Sequence, residues 1–477
     1  MKCLRFASLF FLLIGLPLAV SAQDKPKAKS AVGIWEGPLK VGGLELRLIF
    51  KITEVDGKLS AKLDSPDQGA KDIPLDSVEL KAGKLLVTLK PAKASFEGIV
   101  SEDGTTAVGE WKQAGVGYPL TVKKVDKVAE LKRPQTPKPP YPYTSEDVTF
   151  ENITAKIKLA GTLTIPKGDG PFPVVVMVTG SGPQDRDETL FEHKPFLVIA
   201  DHFTRKGIAV LRYDDRGVAK SGGKFVGSTS ADFATDAYAA VQYLKTRNEF
   251  DPKRIGIAGH SEGGVIAPMV AAEHPDDIGF IVMMAGPGVS GAEVIKAQTT
   301  DLLKTSNEAA ETVKLMAQLN ELIIPIGLEN LPEAEMKTKL TAAIKAFLAG
   351  LTDAQKKAIE ADKTEAFDAL VAQVSEPWMN YFLKYDPKPV LQKVKCPVLA
   401  INGEFDIQVR AKENLAAIAA ALKAGGNAAY KTQEIPGMNH LFQPTKTGRL
   451  GEYGKIEVTF DPATLTLMAD WILGLKK

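Results

Sequence analysis

The sequence predicts an α/β fold, a mostly parallel sheet packed between helices and carrying a helical cap insertion, preceded by a small antiparallel β-barrel or sandwich domain. Three observations predict it. Short alternating strand patterns fill the first quarter of the chain, and a proline-dense stretch follows at residues 133–142. From about residue 146, short apolar runs alternate with helical stretches. At 477 residues the chain is too long for one hydrophobic core, so two or more folding units are expected.

The first residues carry a targeting pattern. Lys2 and Arg5 precede an almost unbroken apolar run over residues 9–20, and Val20-Ser21-Ala22 leads into polar Gln23-Asp24-Lys25. These are the basic region, apolar region and small-residue cleavage site of a secretory signal peptide over residues 1–22, so the mature protein is expected to be secreted or periplasmic. The run falls short of the roughly 20 residues that span a bilayer, and no later stretch is long and apolar enough, so no membrane association is expected after cleavage. Cys3 leaves with the signal. Cys396, alone in the mature chain, sits at the start of an apolar strand and is expected to be buried in the core. The formal net charge of +1 lacks the basic excess that nucleic acid or an anionic surface would favour, so no nucleic-acid partner is expected.

Residues 30–126 read as all-β. Residues 44–52 alternate with period two, placing Leu46, Leu48 and Phe50 on one face, and turns are expected at Val55-Asp56-Gly57-Lys58, Lys81-Ala82-Gly83-Lys84 and Glu102-Asp103-Gly104-Thr105. Short strands so spaced suggest a meander closing into a barrel or sandwich. Gly33-Ile34-Trp35, with Gly109-Glu110-Trp111 near the end, resembles the Gly-x-Trp opening of lipocalin-like barrels; the two tryptophans are expected to plug one end. Residues 127–145 read as a proline-rich linker, stiffened by polyproline conformation into a spacer.

Residues 146–477 form the second unit. The runs at 174–178, 208–211, 255–258, 280–284 and 398–401 are apolar at every position, as strands buried between two helix layers must be. Residues 232–245 are helical, with Phe233, Ala237, Ala240 and Leu244 on one face. Between about residues 290 and 391 the strands disappear, and helices are expected over 308–322, 333–348 and 353–374. A helical block inserted between two strands of such a sheet lies as a cap over the strands' C-terminal ends, where these folds keep their sites.

Gly259-His260-Ser261-Glu262-Gly263 is a G-x-S-x-G nucleophile elbow: an apolar strand precedes it and a helix over 265–273 follows, the setting that presents a strained, exposed serine. Gly288-Val289-Ser290-Gly291-Ala292 lacks both the last glycine and the strand. A serine hydroxyl needs an adjacent base. Among His193, His202, His260, His274 and His440, chain order Ser–acid–His leaves His440, in a loop after the final strand. His260 should point away from Ser261. The acid that orients the base is expected in the loop after the strand at 398–401, at Asp406, with Glu404 as the rival. The oxyanion needs two N–H donors: Glu262, next to the nucleophile, and Ser181, in the Gly180-Ser181-Gly182 loop. Arg186 with Asp185 and Asp187, and Asp214-Asp215-Arg216, read as loop-fixing ion pairs. Without an H-E-x-x-H helix or a histidine cluster, no metal and no cofactor is implied.

These motifs, in this order, make residues from about 146 onward similar to the exported bacterial α/β-hydrolases of the serine aminopeptidase and short-chain carboxylesterase type. Gly180-Ser181-Gly182-Pro183-Gln184-Asp185-Arg186-Asp187, Asp214-Asp215-Arg216-Gly217, Gly259-His260-Ser261-Glu262-Gly263 and Gly437-Met438-Asn439-His440 carry the resemblance. It implies an α/β-hydrolase fold and hydrolysis of small-molecule esters of short to medium acyl chain through an acyl-enzyme, with peptidase or amidase action as the alternative. The chain departs from the usual esterase pattern at Thr179-Gly180, where His-Gly is common, which bears on the second oxyanion donor. A further reading, a binding protein whose barrel holds an apolar ligand, rests on the N-terminal unit alone. In the cap, Trp378, Tyr381, Phe382 and Tyr385 share one apolar helical face that would serve as core or as pocket wall; Trp378, Tyr381 and Tyr385 are the pocket candidates.

Overall fold

The structure, a computed structural model, describes residues 30–475 apart from 42, 43, 69, 114, 129, 130, 306, 307 and 363. The segment read as a signal peptide, with Cys3, lies outside the described residues.

Nine strands, among the described residues, make the N-terminal sheet: β1 (Gly33–Val41), β2 (Leu44–Val55), β3 (Lys58–Ser65), β4 (Ala70–Pro74), β5 (Ser77–Lys81), β6 (Lys84–Leu89), β7 (Ala94–Val100), β8 (Thr106–Gln113) and β9 (Val116–Val125). The order β4-β3-β2-β1-β9-β8-β7-β6-β5 is a meander joined through the antiparallel β1–β9 pair. Asp56-Gly57 and Ala82-Gly83 turn with both residues at positive φ, the two-residue geometry that matches strand twist. The sheet curls into a half-barrel: Phe50 of β2 stacks on Phe96 of β7 at 5.5 Å and on Trp111 of β8 at 6.1 Å, although other strands separate them in the sheet. Trp35 and Trp111 lie inside this core, and the Trp35 indole N–H donates to the Ala31 carbonyl at 2.7 Å.

The second sheet has the order β10-β11-β13-β12-β14-β15-β16-β17, where β10 is Thr144–Asn152, β11 Ile157–Ile165, β12 Phe172–Val178, β13 Ala209–Tyr213, β14 Phe250–His260, β15 Phe280–Met284, β16 Val398–Gly403 and β17 Tyr430–Ile435. The β10–β11 and β11–β13 pairs are antiparallel and those from β13 onward are parallel, among the described residues the eight-stranded arrangement of an α/β-hydrolase. The continuously apolar runs are buried on both faces. Val174, Val176 and Val178 of β12 enter one core with helices α2 (Ser230–Lys245), α3 (Gly263–Glu273) and α11 (Ala411–Ala424), while Val175 and Met177 enter the other with α1 (Pro195–Arg205) and α12 (Pro462–Gly474). Cys396 is buried, and burial pushes its thiol up to about 12.

Between β15 and β16 the chain forms α4 (Gly291–Thr305), α5 (Ala310–Gly327), α6 (Glu333–Ala349), α7 (Asp353–Ala358), α8 (Thr364–Ser375), α9 (Pro377–Lys384) and α10 (Lys388–Leu391). Leu319, Ile323, Leu340, Ile344, Val374 and Leu383 give this cap its own core. The single helix expected over 353–374 is two. Glu360 takes a left-handed φ of 52°, and the amides of Ala361 and Glu360 bond back to the carbonyls of Lys356 and Lys357. This is a Schellman stop built on a glutamate, so the usual glycine signal is missing from the sequence. Ser290, in the imperfect motif, caps α4 instead: its amide and hydroxyl donate to Glu293 at 3.0 and 2.6 Å.

The proline-rich stretch is not a free spacer. The Arg133 guanidinium donates to the carbonyls of Phe191, Gly454 and Ile456, and the Gln135 side chain bonds the backbone of Thr459 and Phe460 on both its oxygen and its nitrogen. The segment is fixed along the second unit.

Candidate active site

β14 ends at His260 and α3 begins at Gly263, so the chain reverses within two residues and Ser261 is held at φ 53°. A non-glycine residue there costs roughly 1–3 kcal/mol and persists only where its surroundings fix it. The Ser261 amide donates to the Met284 carbonyl of β15 at 2.8 Å. The flanking glycines are required by space: a Cβ on Gly259 would lie 1.9 Å from the Gly263 carbonyl oxygen, and one on Gly263 would lie 2.2 Å from that of Val178.

After β16 the loop turns so that Asp406 faces the loop that follows β17. The His440 Nδ1 lies 2.7 Å from Asp406 Oδ2, and the amides of Gln408 and Val409 each donate to Asp406 Oδ1 at 2.8 Å. Both residues are buried. An Nδ1–H held by a carboxylate leaves the Nε2 lone pair for a neighbouring hydroxyl. Glu404 is exposed, and its carboxylate accepts the Gly437 amide at 2.9 Å instead of meeting the imidazole. Ser261, His440, Ser181 and Gly180 line one cavity of about 120 Å³, with Gln184, Leu190, Leu441 and Tyr453 among its walls. The Ser181 and Glu262 amides have no protein acceptor among the described residues. The Gly180 amide is taken, donating to Glu188 Oε1 at 2.7 Å, so Ser181 is the next donor along that loop.

His260 does not simply turn away. It is buried in the same cavity wall, with Nε2 3.0 Å from the carbonyl oxygen of His440 and Nδ1 2.9 Å from Glu188 Oε1. The carbonyl only accepts, so Nε2 donates to it, and the Glu188 carboxylate facing Nδ1 favours the protonated ring. Burial alone would lower its pKa; the Glu188 carboxylate offsets this and leaves it raised. His193, in the same cavity, is the opposite case: burial and the Arg133 charge push it down to about 4, and its Nδ1 meets the Thr459 hydroxyl. His202 lies on α1, and His274 ends α3 stacked on Tyr238 at 3.5 Å.

Glu262 matters through its side chain as well as its amide. Its carboxylate is buried and accepts the Ser230 hydroxyl at 2.5 Å and the Trp378 indole N–H at 2.8 Å. Trp378, Tyr381 and Tyr385 are not among the residues that line the Ser261 cavity. Trp378 stacks on Phe382 at 5.5 Å and ties the cap to the elbow, and Tyr381 stacks on Tyr385 at 6.2 Å. Sequence reasoning missed Glu188 altogether and missed the roles of His260 and the Glu262 side chain. Ion pairs do brace these loops, but with other partners than expected: Arg186 is bidentate on Asp214 and not on Asp185 or Asp187, Arg212 meets Asp187, and Arg216 grips Asp236, while Asp215 accepts the Thr179 hydroxyl and the Gln184 amide.

The sequence pattern of the X-Pro dipeptidyl-peptidase (S15) family matches residues 156–433, more than half of the chain. The chain belongs to that family. This S15 family member is 36% identical over 240 residues to esterase EstD of Thermotoga maritima, a match covering 50% of this chain and 53% of that protein. It is 28% identical over 145 residues to a 2-hydroxy-6-oxononadienedioate/2-hydroxy-6-oxononatrienedioate hydrolase of Pseudomonas sp., covering 30% of this chain and 47% of that one. The chain thus spans about half the length of these curated relatives. Among solved structures, the Pyrococcus furiosus esterase Pf2001 superposes with a TM-score of 0.40 at 14% identity, covering 73% of this chain and 98% of that one.

Proposed function

We propose that this S15 family member hydrolyses carboxylic esters of short to medium acyl chain through an acyl-enzyme on Ser261. The observation that carries the reading is the Asp406–His440 pair at 2.7 Å, whose imidazole lines one cavity with a serine at a strained elbow. His440 Nε2 takes the Ser261 proton as the hydroxyl attacks the ester carbonyl, and Asp406 steadies the imidazolium. The amides of Ser181 and Glu262 hold the oxyanion, each such donor being worth about 2.7–4 kcal/mol. The tetrahedral species collapses with the alcohol leaving on the His440 proton. Water, activated by the same imidazole, then releases the acid.

The 36% identity to an esterase favours esters, and membership of the X-Pro dipeptidyl-peptidase family favours the second reading, cleavage of X-Pro peptides by the same triad. Parallel kinetics on p-nitrophenyl acyl esters and X-Pro p-nitroanilides decide between them. The ester reading expects kcat/KM higher on the esters, and the reverse ranking assigns the peptidase. We further propose that residues 1–22 direct export and are removed, which N-terminal sequencing of the mature protein checks.

A further inference from the structure

We propose that the N-terminal half-barrel is a positioning element of the active site, acting through a bracket of Arg47 and Asp67 on the turn that carries Glu188. The inference rests on Ser261 being the nucleophile.

The segment following the oxyanion loop folds back tightly. The Glu188 amide bonds the Asp185 carbonyl at 2.9 Å, and Leu190 and His193 bridge to each other. Three of its residues, none of them glycine, take left-handed φ: Glu188 at 52°, Phe191 at 50° and Glu192 at 60°. Such a cluster persists only where neighbours over-determine it.

Much of what holds it comes from the N-terminal sheet. The Phe191 amide donates to the Asp67 carbonyl at 2.8 Å, and the Glu192 carboxylate accepts Arg47 Nη2 at 2.8 Å. Asp67, buried in the 3-10 turn Pro66–Gln68 that follows β3, fixes Arg47 in turn, accepting its backbone amide and its Nη2 at 2.6 Å each. Leu46 leaves the half-barrel core and packs with Phe191, Leu441 and Tyr453.

What the turn holds is the catalytic frame. Glu188 Oε1 accepts the Gly180 amide, which sets the peptide ahead of the Ser181 donor, and accepts His260, whose other nitrogen grips the His440 carbonyl. Leu441, pressed by Leu46, follows His440 directly. The half-barrel therefore reaches both the oxyanion loop and the base loop through a handful of contacts, without lining the cavity itself.

The test uses the full chain with Arg47→Ala, Arg47→Lys and Glu192→Gln. Readouts are the rate of Ser261 labelling by a fluorophosphonate, kcat and KM on p-nitrophenyl acetate, and Tm. A displacement of the frame should lower kcat and the labelling rate about 10- to 100-fold in Arg47→Ala while KM stays within about twofold. Arg47→Lys should recover part of the loss, and Glu192→Gln, which keeps an acceptor, should show a smaller loss of the same kind. Glu192→Gln, altering a partly exposed carboxylate, decides the matter if Arg47→Ala does not fold. Lower Tm with unchanged kcat and labelling rate in the folded variants would overturn the inference. A wild type that is not labelled at Ser261 would instead overturn the proposed nucleophile, and this inference with it.

Discussion

The imidazole Nε2 of His260 lies 3.0 Å from the carbonyl oxygen of His440, so the residue beside the nucleophile holds the backbone of the loop that carries the base. Its other nitrogen faces Glu188, and the pair keeps the folded pKa of His260 above its ordinary 6.5. The sign follows from proton linkage: the folded state binds this proton more tightly than the unfolded chain does. The stabilisation is complete below about pH 6.5 and is lost as pH rises through the raised folded value. Denaturation midpoints of wild type and His260→Gln, taken from about pH 5 to about pH 9, should therefore differ most at the acid end and converge toward the alkaline end. A gap that widens with pH would mean that the ring is neutral in the fold.

Asp406→Asn should leave the loop in place, because the Gln408 and Val409 amides retain an oxygen acceptor, while the wrong His440 tautomer cuts kcat by roughly 10⁴. Glu404→Gln keeps an acceptor for the Gly437 amide and should leave kcat within a few-fold. Steady-state kinetics of both variants check this, and a reversal of the two effects would move the acid to Glu404.

Burial raises the pKa of Glu262 from 4.5, against the Ser230 and Trp378 hydrogen bonds that lower it. For an acid this sign is costly at higher pH: above the unfolded value the unfolded chain gives up the proton that the fold retains, and stability falls. Glu262→Gln preserves an acceptor for the Trp378 indole and removes that penalty. Its Tm relative to wild type should climb as pH rises from about 4.5 and level off above the folded value.

Acyl-chain preference should follow the residues that line the cavity. Leu190→Ala should change the ratio of kcat/KM between long and short p-nitrophenyl esters by about tenfold or more, a contact of a methylene or two being worth 1–3 kcal/mol. Trp378→Phe should leave that ratio unchanged and cost about 1–3 kcal/mol of stability, because one donor to a buried carboxylate is lost. Ester series and chemical denaturation on the two variants separate these effects.

Local chemistry was readable where it leaves a mark in consecutive residues. The glycines around Ser261 and the doubly apolar strands follow directly from steric and burial demands, and Asp56-Gly57 announces its own turn. The contacts that escaped the sequence join distant segments: Glu188 to His260 across 72 positions, Trp378 to Glu262 across 116, Arg47 to Glu192 across 145. No periodicity encodes such pairs. The aromatic run at 378–385 shows the limit well, since its helical spacing fits either a core face or a pocket wall, and the choice depends on where α9 docks. Glu360 shows another: a left-handed helix stop written without glycine looks like continuing helix.

The most direct measurement compares purified wild type with Ser261→Ala, following p-nitrophenyl ester turnover and covalent labelling by a fluorophosphonate, with circular dichroism to check that the variant is folded. Wild type should turn over and be labelled at Ser261, and the folded variant should retain less than about a hundredth of the activity and take up no label. A folded Ser261→Ala that still turns over ester at more than about a hundredth of the wild-type rate, or that is still labelled, would contradict Ser261 as the nucleophile.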